Sequence, residues 1–217
     1  MILSPVIGFG VGFLMMGVLY LMVRGWRPVT VSRTFDKLQL LSSAYMGFSH
    51  GTNDAQKTMG IIALALVAGT SSGAFAALPD WLHFLNTAEP AAGTQLHIAA
   101  WIKVLCAFTM CAGTAAGGWR IIKTLGHKMV KIQAIQGFAA EATGASVLLV
   151  AAHYGMPVST THAITTSIMG VGCAKGFNHL KISVVERIIW TWVLTLPASA
   201  AVAYVFVLAA RAMGSMH

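Results

Sequence analysis

Phe48-Ser49-His50-Gly51-Thr52-Asn53-Asp54-Ala55-Gln56-Lys57 is a polar, ionisable run inside an otherwise apolar segment near residues 38–68. Inside a bilayer an ionisable side chain costs about 2.5–3.5 kcal/mol on insertion scales, so Asp54 and Lys57 need partners or a function. The run begins about ten residues into the segment, which at about 1.5 Å per residue places it about 15 Å deep, near the bilayer midplane. Gly51 predicts a backbone break, with Thr52, Asn53 and Asp54 capping the half-helix that resumes toward Leu66. A break frees carbonyls on one side and N–H groups on the other. Carbonyls beside a carboxylate suit Na⁺ or a proton, whereas N–H groups at a helix N-terminus suit an anion. The plainer alternative is a packed, hydrogen-bonded kink from which Lys57 reaches for an interface.

Composition makes the membrane the right frame. Of 217 residues, 57% are hydrophobic and only 9% are charged, whereas a soluble domain carries roughly 25% charged residues. Lipid removes the need for a charged surface. The net charge of +8 is gathered in short clusters between apolar stretches, without aromatic-basic interleaving on a soluble fold, so nucleic acid is not the expected partner. Cys106, Cys111 and Cys173 lie in apolar stretches without a Cys-x-x-Cys pair and predict packing rather than a disulfide or metal site. The start of the chain is apolar to Val23 and lacks a basic n-region, so it reads as a retained span.

Working outward, six apolar segments run near 2–23, 38–68, 97–122, 132–153, 159–174 and 187–210. The fifth is short for a span of about 20 residues. Three alternate connections carry 11 of the 14 basic residues: Arg24, Arg27, Arg33 and Lys37; Arg120, Lys123, Lys128 and Lys131; Lys175, Lys181 and Arg187. The long connection 69–96 holds Asp80 and Glu89 but no Lys or Arg. The positive-inside rule places the basic connections in the cytoplasm and both termini outside. Trp26 and Trp119 then mark the inner interface, and Trp81 and Trp101 the outer one. Charge counting leaves open whether segments four and five cross fully or form a re-entrant hairpin, and the short fifth segment, opened by Pro157, favours a hairpin or half-helix. The expected fold is all-α and integral to the membrane, in a single domain over 1–217.

Two further clusters stand out. In Pro157-Val158-Ser159-Thr160-Thr161-His162, Ser159 or Thr160 is a natural N-cap. Three hydroxyls and several free amides facing one point can hold a tetrahedral oxyanion; an ordinary cap at the outer surface is the bland alternative. Gln136 and Glu141, five residues apart, do not share a clean helical face. Glu141 needs a proton or a partner, which can be Lys103, Lys57 or a coupling ion. Gly113-x-x-x-Gly117 is a weak dimerisation motif. An enzyme reading would use Ser159 or Thr160 as nucleophile and His162 as base, three residues apart, but no third residue visibly orients the histidine, and the chain is not expected to be an enzyme.

These blocks together resemble the inorganic phosphate transporter (PiT) family. Residues 48–60 look like the Gly-Ala-Asn-Asp signature of its C-terminal repeat, with Thr52 where Ala is usual. Gln136-Gly137-Phe138-Ala139-Ala140-Glu141 and Pro157-Val158-Ser159-Thr160-Thr161-His162, followed by Gly170-Val171-Gly172, look like its other blocks. The resemblance covers nearly the whole chain. It implies an inverted-repeat secondary transporter of the plasma (inner) membrane that moves phosphate with Na⁺ or H⁺ and needs no other cofactor or metal. It implies Asn53, Asp54, Ser159, Thr160 and Thr161 at the substrate. Asn53, Asp54, Gln136 and Glu141 are expected at the coupling cation, with His50, Thr52, Lys57 and His162 as accessory groups. Such transporters build the site between two halves, and a second Asn-Asp or Ser-Thr-Thr-His is absent from this sequence. The expected partner, besides phosphate and the bilayer, is therefore an N-terminal half from the same gene or a separate chain, and the apolar start fits a fragment. An antiparallel homodimer is a weaker option, because dual insertion needs near-balanced loops. A sulfate or related oxyanion permease and a non-transporting membrane subunit are the alternative functions.

Overall fold

The computed structural model describes residues 3–75, 79–87, 98–118, 133–174, 176 and 180–212, and the backbone alone of 119–123. Glu89, Lys128, Lys131, Lys175, His97, His127, His179 and His217 lie outside the described residues, as do the side chains of Trp119, Arg120 and Lys123. The described residues form helices and connections without strands. α1 covers Leu3–Val23, α2 Pro28–Ser71, α3 Ala100–Lys123, α4 Ala134–His153, α5 Thr160–Cys173 and α6 Ile182–Ala212, with a short 3₁₀ turn at Asp80–Leu85 before α3. Each expected apolar segment thus contains one helix. α1, α4, α6 and the Ala100–Gly118 part of α3 are long and apolar enough to cross a membrane. α5, at 14 residues, measures about 21 Å, short of a bilayer core.

The expected break in the second segment is absent. α2 is continuous through the polar run and starts at Pro28, ten residues before the apolar part begins. A lone glycine in a helix interior costs only about 1 kcal/mol, which the flanking turns carry. The hydroxyls of Thr52 and Thr58 donate back to the Phe48 and Asp54 carbonyls at 2.9 and 3.4 Å instead of capping a new helix. The backbone at 51–54 is therefore engaged in the helix, and only its side chains are available for other chemistry.

α4 and α5 form an antiparallel hairpin whose tip includes Gly155 at φ +64°, a left-handed turn position that suits glycine. The α4 arm runs parallel to α2: Gln39 packs at Gly137, Ser42 and Ser43 meet Glu141, Tyr45 meets Ser146, and Asn53 reaches the tip at Val158. α2 then continues for 17 residues past Asp54, about 25 Å beyond the tip. The hairpin therefore turns alongside the middle of α2's apolar stretch, which is the half-helix geometry that the short fifth segment suggested. At the opposite end, Val23, Val31, Phe35, Ala134, Leu180 and Val184 share one apolar cluster. That gathers the end of α1 and the starts of α2, α4 and α6 at one end of the bundle, with Arg24, Arg27 and Lys181 beside them.

The tightest helix contact is α1 on α5, and glycine makes it possible. A Cβ at Gly12 would sit 2.7 Å from the Ser167 carbonyl oxygen, and one at Gly170 would overlap the Phe9 carbonyl oxygen. Gly113, Gly117 and Gly118 have open space around their Cβ positions, so they play no such role within the chain. Because the obstruction at Gly170 is backbone, no rotamer change relieves it. Gly170→Ala is expected to destabilise the fold by about 1–3 kcal/mol, read as a lower unfolding midpoint in mild detergent. Gly10→Ala, with nothing within 4 Å, should leave the midpoint unchanged or raise it; equal losses in both variants would refute this packing account.

Candidate functional site

The polar run and the hairpin tip meet at one carboxylate. Asp54 Oδ1 lies 3.2 Å from Lys57 Nζ and accepts from Asn53 Nδ2 at 3.3 Å. Its Oδ2 lies 3.5 Å from His50 Nε2 and accepts from Thr160 Oγ1 at 3.2 Å. His50, Asp54 and Lys57 are at i, i+4 and i+7 on α2, so the helix itself brings them to one face. Lys57 Nζ and Asn53 Nδ2 also donate to the Val158 carbonyl, at 2.5 and 3.4 Å. Two α2 side chains thus hold the residue that precedes the α5 cap. Hydrogen bonds to charged groups contribute about 1.5–3 kcal/mol each, so this junction fixes the tip against α2.

The helix end expected within α2 is found instead on α5. Ser159 is its N-cap, and Ser159 Oγ accepts from the His162 backbone N–H at 3.4 Å. The N–H groups of the first turn, which include those of Thr160 and Thr161, have no acceptor within the helix. An anion-favouring helix N-terminus therefore stands against Asp54, Asn53 and Lys57. The Thr160 side chain is buried within this centre, while Thr161 is exposed beside it. The centre is not sealed, since the side chains of His50, Asp54 and Lys57 are 37, 26 and 37% exposed.

The remaining expected site residues part from this centre. Glu141 pairs with neither Lys103 nor Lys57. Ser42 Oγ donates to its Oε2 at 2.5 Å, and Ser43 Oγ is 3.0 Å from both of its oxygens. This second carboxylate sits about 17 Å along α2 from Asp54, in a cradle built of oxygens. Ser42 and Ser43 were missed by motif reading; two adjacent hydroxyls within Leu40-Leu41-Ser42-Ser43-Ala44 were the available signal. Gln136 is buried at the far end of the hairpin, where its side chain accepts from the Gln133 backbone N–H at 3.0 Å in a capping box. Its role there is to start α4, and the structure does not bring it to Asp54. The Thr52 hydroxyl is spent on its own helix.

The geometry also speaks against the nucleophile-base pair. The His162 ring stacks on Trp192 of α6, with centroids 4.0 Å apart, and its buried Nδ1 has no hydrogen-bond partner. The Thr160 hydroxyl is directed at Asp54, and Ser159 is bonded to backbone rather than to the ring. Among the described residues no group of three or more His, Cys, Asp or Glu could hold a metal ion.

Comparison with known proteins identifies the family and the fold. The family model described as the phosphate transporter family matches residues 24–203. The chain belongs to the phosphate transporter family. A probable low-affinity inorganic phosphate transporter of Bacillus subtilis is 36% identical over 207 residues, covering 94% of this chain and 56% of that protein. A counterpart in Rhizobium meliloti is 36% identical over 199 residues, covering 92% and 54%. A chloroplastic inorganic phosphate transporter of Arabidopsis thaliana is 33% identical over 172 residues, covering 79% and 27%. The chain spans about half the length of the curated relatives it matches. A solved sodium-dependent phosphate transporter shares the fold, with a TM-score of 0.69 at 21% identity, covering 95% of this chain and 65% of that one. Those relatives are named as transporters, and family membership together with the four apolar helices long enough to cross a bilayer places the chain in a membrane.

Removing one partner of a half-sheltered ion pair leaves the other charge uncompensated. Asp54→Asn and Lys57→Met are each expected to lower stability by more than the double variant's cost shared between them. The coupling should be roughly 1–2 kcal/mol, read from unfolding midpoints in detergent. Strictly additive losses would show that the pair does not hold the hairpin tip.

Proposed function

We propose that this chain is one half of a secondary transporter that carries inorganic phosphate across the plasma (inner) membrane, coupled to Na⁺ or H⁺. The observation that carries the reading is the pairing of Asp54 with both Lys57 and the N-terminal turn of α5. An oxyanion arriving at that turn finds free amides, the hydroxyls of Ser159, Thr160 and Thr161, and the Asn53 amide. Among the described residues Lys57 is the cation there on a long, flexible stem, able to turn from Asp54 to the anion. The carboxylate it leaves then needs a positive charge, which Na⁺ or a proton supplies. Anion and coupling cation thus favour each other's binding through the exchange of one ammonium group. Glu141 in its serine cradle is a second candidate for the cation, because a hard monovalent ion takes oxygen ligands and no basic side chain in the described structure competes for it. His50 supports Asp54 from the preceding turn.

Phosphate fits better than sulfate. At neutral pH phosphate keeps a proton to donate, and the Asp54 carboxylate and Val158 carbonyl are acceptors already placed at the site. Sulfate would leave them facing its oxygens, and a site built on hydrogen bonds rejects the analogue that lacks the donor. The partial exposure of His50, Asp54 and Lys57, and the roughly double length of the relatives, support a site completed by an N-terminal half in the same or a separate chain. A homodimer is the other way to cover it. The described basic residues Arg24, Arg27, Arg33, Lys37 and Lys181 at one end support a cytoplasmic assignment for that end, with both termini outside.

In the completed transporter, Asp54→Asn should reduce ion-coupled uptake of ³²P-labelled phosphate to background, and normal uptake would refute the coupling role. The 217-residue chain expressed alone should give no uptake above the vector control. Activity of the chain alone would refute the shared site.

A further inference from the structure

Arg33 and Lys37 stand one turn apart on the outer face of α2, both exposed, and among the described residues neither is in an ion pair. The same stripe continues at helical spacing through Leu41, Ala44 and Phe48. Leu41 is 68% and Phe48 66% exposed. The buried side of this stretch is made by Val31, Phe35, Leu38 and Ser42, so the stripe points away from the bundle. It also points away from the site: Phe48 and His50 lie about 200° apart around the helix. Asp36 lies three residues from Arg33, about 60° around the helix, but its carboxylate accepts from the Ser32 hydroxyl at 3.4 Å and among the described residues forms no ion pair with Arg33.

Two adjacent cations followed directly by an apolar strip that reaches about 16 Å past Lys37 match a phospholipid in charge and shape. The phosphate would lie between Arg33 and Lys37, near the end of the bundle that also holds Arg24, Arg27 and Lys181, and an acyl chain would lie along Leu41, Ala44 and Phe48. Zwitterionic lipids carry their own ammonium group, which two cations disfavour. We infer that this stripe of α2 is a binding site for an anionic phospholipid, with Arg33 and Lys37 holding the headgroup phosphate. The site is separate from the Asp54 centre and does not depend on the transport reading.

The test is native mass spectrometry of the full chain in detergent with equal amounts of phosphatidylglycerol and phosphatidylcholine. Phosphatidylglycerol should be retained in clear preference. Each basic residue near an anionic surface changes affinity roughly five-fold, so Arg33→Gln/Lys37→Gln should weaken that retention about 25-fold. Lys181→Gln/Arg187→Gln, on a different basic connection, should leave it unchanged. Leu41→Ser/Phe48→Ser should weaken it too, which a purely ionic contact would not show. Excess inorganic phosphate should not displace the lipid. Equal retention of both lipids, no loss in the Arg33/Lys37 variant, or displacement by free phosphate would each overturn the assignment. Both charged side chains are exposed, so their replacement leaves the packing intact.

Discussion

Asp54 organises the structure because a carboxylate in an apolar helix must have its oxygens met inside the protein. An unsatisfied polar group in hydrocarbon costs several kcal/mol. Four side chains meet that demand: His50, Asn53 and Lys57 from the same helix, and Thr160 from the hairpin. Since Thr160 lies in the first turn of α5 and Lys57 also takes the Val158 carbonyl, the requirement of one carboxylate sets the level at which the hairpin turns. The parallel run of α4 along α2, from Gln39 at Gly137 to Asn53 at Val158, then follows. α1 locks the other side through glycines where only backbone can fit.

The apolar segments were legible because lipid selects on composition, and each of the six contains a helix within a few residues of the expected ends, apart from the earlier start of α2. The half-helix character of the fifth was legible from its length and from Pro157. The break at Gly51 was misread. A glycine among capping residues looks like a helix end locally, yet threonine hydroxyls satisfy their own helix equally well, and here Thr52 does so. What decides between the two is whether another element reaches in to take the freed groups. The hairpin tip reaches the side chains of α2, not its backbone.

The same distinction governs the site residues. Asn53, Asp54 and Thr160 were found correctly as neighbours because both clusters had to lie in apolar surroundings, and polar groups there converge. Gln136 and Glu141 were grouped with Asn53 and Asp54 at the coupling cation. Five residues on a helix is about 7.5 Å of rise, and direction along α4 was not visible in the sequence. The arm carrying them runs away from the tip, so Glu141 falls a full three turns from Asp54 and Gln136 farther still. Ser42 and Ser43 escaped notice because a hydroxyl in a membrane helix usually bonds its own carbonyl. Ser42 does so as well, at 3.0 Å to Gln39, while also serving Glu141.

The two carboxylates differ in a way that bears on their roles. Among the described residues Glu141 is met by neutral hydroxyls alone, so no described cation compensates its charge. Asp54 is compensated already by Lys57, so in the proposed mechanism it takes a cation once that ammonium has turned to another anion. A site of the first kind responds to cation alone; one of the second responds to cation and anion together. Symport requires the second kind, because a carrier that loaded its driving ion without substrate would run the gradient down. The partial exposure of His50, Asp54 and Lys57 adds a further requirement. Lipid cannot cover three ionisable groups at that depth, so a protein surface or a water-filled cavity must, and we read the exposed flank of α2 as the wall of such a cavity.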